Sequence, residues 1–501
     1  MKVLFRADAN ARIGIGHVMR CLALAEACQD AGEEVSFACC ELTSNAEDSL
    51  REHSINIVRV HGVPGSSEDA KQFSERVKSC DVDWVVIDGY HFGPDYTARL
   101  LGLGTKILMI DDHGSVETNA DILLNANAYA APDLYREAYQ TPSRLLLGTQ
   151  FALLRREFSE WRNWQRTICA DARKVLLLVG GTDPTGLSTL FLDAVQLLEE
   201  QHLEITLASA GRTSPTVSAT QSSASIRILQ NSSDLAARMA GADIAVSAAG
   251  STCLELAFMG LPAVVVDVVE NQKPVASELH RRGVAIHAGS QSDITPSTIA
   301  NGLRRLLASS ELRKIMSRRG RELVDGYGAQ RVLGAMRREN IHLRPVRDED
   351  SRLLWEWAND PVVRRVSFST EPINWDTHST WLRNKLSDPN CRLYVIECGR
   401  RSIGQIRFEI EQNSAVISLS MAPDCRGQGL GTAALQAAME QLFHTATVKQ
   451  ADAFVKKDNT ASLRLFQKAG FEEHPSTTKA SAGAVHFILE REKANGRILR
   501  N

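Results

Sequence analysis

A chain of 501 residues is longer than one hydrophobic core fills, and at about 100–200 residues per domain it predicts roughly three folding units. Hydrophobic residues make up 44% and charged residues 23%, which excludes collagenous, low-complexity and largely disordered chains. The formal charge of −3 leaves no basic surplus for nucleic acid, so an anionic substrate has to be held locally by helix ends, backbone amides or a few arginines.

The start, MKVLFRADANARIGIGH, lacks the unbroken apolar core of a signal peptide. No run approaches the ~20 apolar residues that span a bilayer. The 10 cysteines show no CxxC spacing, so they read as reduced thiols and core filler rather than zinc ligands. A cytoplasmic, soluble protein is expected, with no membrane, nucleic-acid or metal partner; the oligomeric state stays open.

In chain order, the first stretch alternates short β-rich runs with helical ones. Strands are expected at Val3–Arg6, Glu34–Cys39, Trp84–Asp88, Lys106–Ile110 and Asp121–Leu124, with a helix over His17–Ala31. After the charged segment Arg155–Arg173 a second series begins, with strands at Lys174–Val179, Glu204–Ala208, Ile226–Leu229, Ile244–Ser247 and Ala263–Val266. Buried apolar runs interleaved with helices predict parallel, doubly wound sheets, here two Rossmann-like lobes over 1–160 and 161–335. Ser309–Asn340 reads as a solvated, Arg-rich helical connection broken around Asp325–Gly328.

From Leu343 the texture becomes antiparallel. Leu393–Glu397, Ser402–Glu411 and Ala415–Met421 are consecutive β runs, followed by a Gly-rich loop, a helix from Thr432, a strand at Ala451–Val455 and a helix from Ala461. An α+β domain over 343–494 is expected.

The first loop, Ile13-Gly14-Ile15-Gly16-His17, joins strand to helix. Gly14 and Gly16 let the backbone approach a ligand, while Met19 stands where a dinucleotide fingerprint has its third glycine. A histidine at a helix N-terminus has its neutral form favoured, which suits a general base near neutral pH; a histidine that merely caps or packs is the plain alternative.

Ala7-Asp8-Ala9 followed by Gly14–Ala25 resembles the signature of the UDP-sugar hydrolases of pseudaminic acid biosynthesis. That family is similar in architecture to the GT-B glycosyltransferase that makes lipid II. Ile110-Asp111-Asp112, Leu123-Leu124-Asn125, Leu146–Phe158 and Gly180–Asp183 extend the resemblance over about residues 1–335. It implies that His17 positions or deprotonates water, with Asp8 as its catalytic companion or as a brace for the loop, and that Gly14, Gly16 and Arg20 contact substrate.

In the second lobe Ala248–Thr252 follows a strand and opens a helix, offering amides to a diphosphate. Glu255, one turn on, has the spacing either to accept from ribose hydroxyls or to close a Thr252-x-x-Glu255 capping box. The GT-B resemblance implies that Gly250, Ser251 and Thr252 hold the pyrophosphate and Glu255 the ribose. It also places Asn271 and Gln272 on the sugar, with Gly180 and Gly181 approaching the phosphates. The reaction implied is hydrolysis of a UDP-linked 2,4-diacetamido-2,4,6-trideoxy sugar. A glycosyltransferase, a UDP-sugar epimerase and a non-catalytic nucleotide-sugar sensor are the alternatives.

Downstream, Arg426-Gly427-Gln428-Gly429-Leu430-Gly431 lies between a strand and a helix, followed in order by Asn459, Ser462 and Gly470-Phe471. This resembles the GNAT N-acetyltransferases, and implies acetyl-CoA as co-substrate, held by Arg426 through Gly431, with Asn459 and Ser462 facing pantetheine or loop. Phe466 stands where many members carry a tyrosine acid. Glu409 and Glu411 are the candidate bases, and Asn359, Arg364, His378 and Trp381 match the acceptor-shaping pattern of the sugar- and peptide-modifying branch. The fusion implies two consecutive steps on one UDP-sugar, N-acetylation and then hydrolysis.

Overall fold

The computed structural model describes every residue except 11, 115–118, 136–143, 180–182, 184–185, 199–201, 210–224, 231–233, 291–292, 400, 427–429, 476–483 and 494–501. It packs as two compact units, Lys2–Leu333 and Gly334–Asn501.

In the first unit, β1 (Lys2–Arg6), β2 (Glu34–Cys39), β3 (Asn56–Arg59), β4 (Trp84–Asp88), β5 (Lys106–Ile110), β6 (Ile122–Asn125) and β7 (Arg144–Leu147) form one parallel sheet, ordered β3-β2-β1-β4-β5-β6-β7. Helices α1 (Gly16–Asp30), α2 (Ser44–Glu52), α3 (Ser67–Cys80) and α4 (Pro94–Ala98) connect its strands. The central strand β4, WVVID, is buried at every residue, as a parallel strand covered on both faces requires.

A second parallel sheet holds β8 (Lys174–Val179), β9 (Glu204–Ser209), β10 (Ser225–Gln230), β11 (Ile244–Ala248), β12 (Ala263–Asp267) and β13 (Ala285–Ser290), ordered β10-β9-β8-β11-β12-β13. Its helices are α5 (Leu187–Gln196), α6 (Leu235–Gly241), α7 (Thr252–Phe258), α8 (Lys273–Arg281), α9 (Pro296–Ala308) and α10 (Ser310–Leu323), and α11 (Gly328–Glu339) follows. Strand order reverses at β1/β4 in one sheet and at β8/β11 in the other. Crevices at the carboxyl ends of such strand pairs are where open α/β sheets bind ligands. The architecture is thus the expected pair of Rossmann-like lobes. Strands β3, β7 and β13, absent from the expected set, sit at sheet edges and are only partly buried, and β3 and β7 are four residues long.

The Arg-rich stretch after Ser309 departs from the expected solvated helix. The break falls between α10 and α11 as read, but Arg313 is fully buried. Its guanidinium donates to the carbonyls of Leu306 and Leu307, in the last turn of α9, and to those of Cys169 and Ala170. Helix C-termini leave carbonyls without intrahelical partners, and an arginine fork can satisfy several at once. Arg321 does the same for Phe258 and Arg162. Arg313→Met is expected to destabilise this unit by about 2–4 kcal/mol, read as a lower denaturant midpoint, because it strands buried carbonyls.

The second unit opens with β14 (Ile341–Pro345), α12 (Ser351–Ala358), α13 (Pro361–Val366) and α14 (Trp375–Ser387). Then come β15 (Cys391–Cys398), β16 (Arg401–Glu411), β17 (Ser414–Met421), α15 (Leu430–Thr445), β18 (Gln450–Lys456), α16 (Thr460–Lys468), β19 (Glu472–His474) and β20 (Ala484–Glu490). The sheet runs β14-β15-β16-β17-β18-β20-β19 and is antiparallel apart from β17 against β18. Those two strands pair only from Ser414↔Gln450 to Val416↔Asp452 and then separate. One edge of Ile417–Met421 is left with backbone donors and acceptors outside the ladder. Ile406, Phe408, Ile417, Leu435 and Phe487 form the core behind it.

Candidate active sites

A cavity of about 890 Å³ lies at the carboxyl ends of both sheets of the first unit. That volume falls within the range of about 300–1,000 Å³ usual for small-molecule sites. Its walls include Gly14, Gly16, His17 and Arg20 from one lobe, and Gly250, Ser251, Thr252, Glu255, Asn271 and Gln272 from the other. Ten of the expected substrate and catalytic positions therefore meet in one space. Gly180 and Gly181 lie outside the described residues.

His17 sits in the first turn of α1, 7% exposed, with Nδ1 2.7 Å from Oδ1 of Asp88 at the end of β4. Strands β1 and β4 are neighbours, so the loop after one and the last residue of the other converge at the switch point. Burial pushes the Asp88 carboxyl up, but Arg20 and His17 outweigh it and hold it down at about 2. An ionised carboxylate only accepts, so Nδ1 of His17 is the donor, and in the neutral ring Nε2 is left with the lone pair. No side-chain cap bond forms at the α1 N-terminus, so this histidine is oriented by a carboxylate rather than serving as a cap.

Arg20 lines the cavity, yet its donors go to protein. Nε and Nη2 meet Asp88 at 2.5 and 2.7 Å, and Nη1 meets both oxygens of Asp112 at 2.9 Å. The expected substrate ligand is in this structure the residue that fixes two carboxylates. Tyr90 donates to Asp112 at 2.8 Å, accepts from Asn271 of the other lobe at 2.7 Å, and stands edge-on to His17 at 4.8 Å.

Asp8 is corrected. It is fully buried and does not line the cavity. Its carboxylate takes Arg6 at 2.6 Å and the amides of Cys40 and Glu41 at 2.7 and 2.9 Å, which ties the loop after β1 to the end of β2. Arg6 also meets Asp69 and Tyr96 and lies 4.8 Å from the Phe92 ring. A carboxylate so engaged braces the loop after β1.

In the second lobe the Thr252-x-x-Glu255 capping box does not form. Helix α7 begins at Thr252 with no side-chain cap, and Glu255 instead accepts from Arg155 at 3.0 Å. Gln272 turns back on its own loop, accepting from the Val268 amide at 3.0 Å. The arginines of the wall are all paired with carboxylates: Arg20 as above, Arg51 with Glu47, and Arg155 with Glu157 and Glu255. Among the described lining residues an anion thus meets amides rather than an uncommitted cation.

In the second unit, Leu430 and Gly431 open α15 beside the gap between β17 and β18. Gly427, Gln428 and Gly429 lie outside the described residues. Arg426 pairs with Asp360 at 2.7 Å and donates to the Met421 carbonyl, while its Nη2 is buried without a partner among the described residues. Asn459 caps α16 by accepting from the Ser462 amide at 3.2 Å, so these two engage each other.

Residues 340–472 match the acetyltransferase (GNAT) domain, and residues 175–326 match the glycosyltransferase family 28 C-terminal domain. MurG of Acinetobacter baumannii shares the fold of the first unit, with a TM-score of 0.50 and 20% identity over 67% of this chain and 98% of that one. The chain is a GT-B-like unit fused to a GNAT domain. It is 33% identical over 189 residues, or 38% of its length, to the UDP-2,4-diacetamido-2,4,6-trideoxy-beta-L-altropyranose hydrolase of Campylobacter jejuni subsp. jejuni serotype O:2, and the match spans 63% of that hydrolase. The acetyltransferase PseH of the same organism is 27% identical over 124 residues, which is 25% of this chain and 77% of that protein.

Inside the GNAT domain the expected site residues have protein partners. Phe466 is core, packed edge-on to Phe471 and stacked on Phe487. Burial raises the Glu409 carboxyl, but Lys385 at 2.5 Å and Arg407 hold it below the usual range, which makes it a weak base. Glu411 ends β16 in an exposed position. Asn359 accepts from the Ile373 amide and donates to its carbonyl, Arg364 donates to the carbonyls of Ser369 and Glu371, and His378 lies 3.0 Å from the Ser351 carbonyl. These three hold the segment leading into α14, and Trp381 packs beside Arg407.

The GT-B unit's Asp88, Asp112 and Tyr90 were not assigned roles from sequence. Their signal was present: a carboxylate closing the strand beside β1, and the Asp111-Asp112 pair after the next one. In the GNAT domain a buried pair, His486 with Asp452 at 2.9 Å, was likewise unread. Among the described residues no group of three or more potential ligands stands ready for a metal ion, and no helix is long and apolar enough to cross a membrane.

Proposed function

We propose that the chain performs two consecutive steps on one nucleotide sugar. The GNAT domain N-acetylates UDP-4-amino-4,6-dideoxy-N-acetyl-altrosamine with acetyl-CoA. The GT-B unit then hydrolyses UDP-2,4-diacetamido-2,4,6-trideoxy-altropyranose to the free sugar and UDP, a step of pseudaminic acid biosynthesis. The observation that carries the reading is the His17–Asp88 pair facing the Gly250–Thr252 turn in one cavity, supported by the hydrolase and PseH likenesses.

In the hydrolytic step, Nε2 of His17 takes a proton from water as the oxygen attacks the anomeric carbon. The bond from that carbon to the diphosphate oxygen breaks, and UDP leaves with the electron pair. Asp88 stays ionised, holds the ring and stabilises the imidazolium that forms. Amides at Gly250–Thr252 meet the charge that develops on the leaving diphosphate. Asn271 donates to Tyr90 and so connects the two lobes beside His17.

In the acetyl step, the amine nitrogen attacks the thioester carbonyl, the carbon–sulfur bond breaks, and coenzyme A leaves as the thiolate that the amine's proton neutralises. The separated β17 and β18 offer backbone partners to an extended pantetheine, and the Arg426–Gly431 loop would take the pyrophosphate. A methyl group at Gly431 would press on the end of Leu465, at 2.7 Å, which a rotamer change relieves, and touch Met421 at an ordinary 3.7 Å. Gly431→Ala is therefore expected to keep its melting temperature while losing about tenfold or more in acetyl-CoA affinity by calorimetry, a tenfold loss being 1.4 kcal/mol.

The glycosyltransferase family 28 match favours one second reading, transfer of the sugar to an acceptor. Incubation with the UDP-sugar, with and without acetyl-CoA, followed by NMR separates them. UDP with free sugar supports hydrolysis, UDP with sugar on an acceptor supports transfer, and an unchanged substrate removes both.

A further inference from the structure

Arg155 lies in the segment that leads from the first sheet to the second, and each of its guanidinium nitrogens is committed. Nε and Nη2 both meet Oε1 of Glu255, at 3.0 Å, and Nη1 meets Oε1 of Glu157 at 2.8 Å. Glu157 is held in turn by the Ala236 amide at the start of α6, and the Arg155 fork lies 5.4 Å from the Phe158 ring. Two donors on one oxygen fix the Glu255 carboxylate in plane and in rotation. Among the described residues its Oε2 takes no hydrogen bond, and Glu255 lines the cavity one turn beyond Gly250–Thr252.

A bare carboxylate there would repel a nucleoside diphosphate, since charge interactions strengthen as water is excluded. The Arg155 bond lowers that repulsion while leaving one oxygen to accept from neutral hydroxyls. We infer that Arg155 is a positioning residue that presents Oε2 of Glu255 to the vicinal hydroxyls of a ribose and so makes the site select ribonucleotides over deoxyribonucleotides. The inference rests on the nucleotide-sugar reading above and adds to it a determinant from the segment between the sheets, contributed by a side chain that need not touch the ligand.

The test is equilibrium binding of UDP and 2′-deoxy-UDP to the full chain. Wild type is expected to prefer UDP by about tenfold or more, the worth of a hydrogen bond to a charged acceptor. Arg155→Met keeps the length and apolar packing of the side chain but cannot orient Glu255. It is expected to compress the preference to about threefold or less, 2′-deoxy-UDP weakening through the restored repulsion and UDP weakening more. Arg155→Lys, with one donor point in place of a fork, is expected to fall between. Retained 2′-deoxy-UDP binding certifies that the variant is folded.

An Arg155→Met protein that still selects UDP as wild type does overturns the inference and leaves the nucleotide reading intact. Equal loss of both ligands also overturns it, because Arg155 would then contact the phosphates or merely support the fold. A wild type that binds UDP without discrimination refutes the ribose contact alone. One that binds neither nucleotide refutes the nucleotide reading as well.

Discussion

His17→Asn is expected to slow sugar release about 10²–10⁴-fold, the usual worth of a general base, with UDP affinity held within about threefold. The asparagine amide can still donate to Asp88, so that buried carboxylate keeps a partner besides Arg20 and the loop keeps its anchor. What disappears is the lone pair that Nε2 presents to water. His17→Leu removes the donor as well, leaving Oδ1 of Asp88 to Arg20 alone, and should lose stability in addition to rate. Stopped reactions analysed for UDP, with UDP binding measured on the same preparations, check both statements. Wild-type turnover in a His17→Asn protein that binds UDP normally would remove the base from His17.

The fold was largely legible because parallel strands buried on both faces spell their position in apolar runs. WVVID and KVLLLV are apolar, Val-, Ile- and Leu-rich runs of the kind such strands carry. Edge strands such as β3 and β7 escaped, since each is only four residues long and partly exposed. The first loop was legible where a special backbone was needed, as at Gly14, with its positive φ of 78°. The site was not legible where partners come from distant segments. Asp88 is 71 residues from His17 and Arg155 is 100 from Glu255, and nothing local marks either pair. Asp8 stayed open between two roles for the converse reason: a polar residue inside a recognisable motif can be there to hold the loop, and its complete burial is a property of the folded chain. The charge of the Arg313 segment misled, because a cation that satisfies backbone carbonyls belongs inside.

Asp88→Asn should be more damaging than its small change in shape implies. Arg20 directs Nε to one oxygen of Asp88 and Nη2 to the other, so either orientation of an amide sets its NH₂ against an Arg20 N–H. With the NH₂ at the Oδ1 place it also donates to Nδ1 of His17, which moves the ring hydrogen to Nε2 and abolishes the base. A fall in hydrolysis of about 10³-fold or more is expected, as when the orienting carboxylate of a histidine is neutralised in other enzymes. Stability should fall by about 3–5 kcal/mol, since Arg20 loses half of its compensation in a buried setting.

The pH dependence follows from the same carboxylate. Its value drops from 3.8 to about 2 on folding, so its contribution is complete above 3.8 and is lost as pH falls through 2. That shift corresponds to roughly 2 kcal/mol. Denaturant unfolding of wild type and Asp88→Asn should therefore differ most above pH 4 and converge toward pH 2. A gap that stays constant across that range would mean that the carboxylate's charge is not what holds Arg20 and His17 in place.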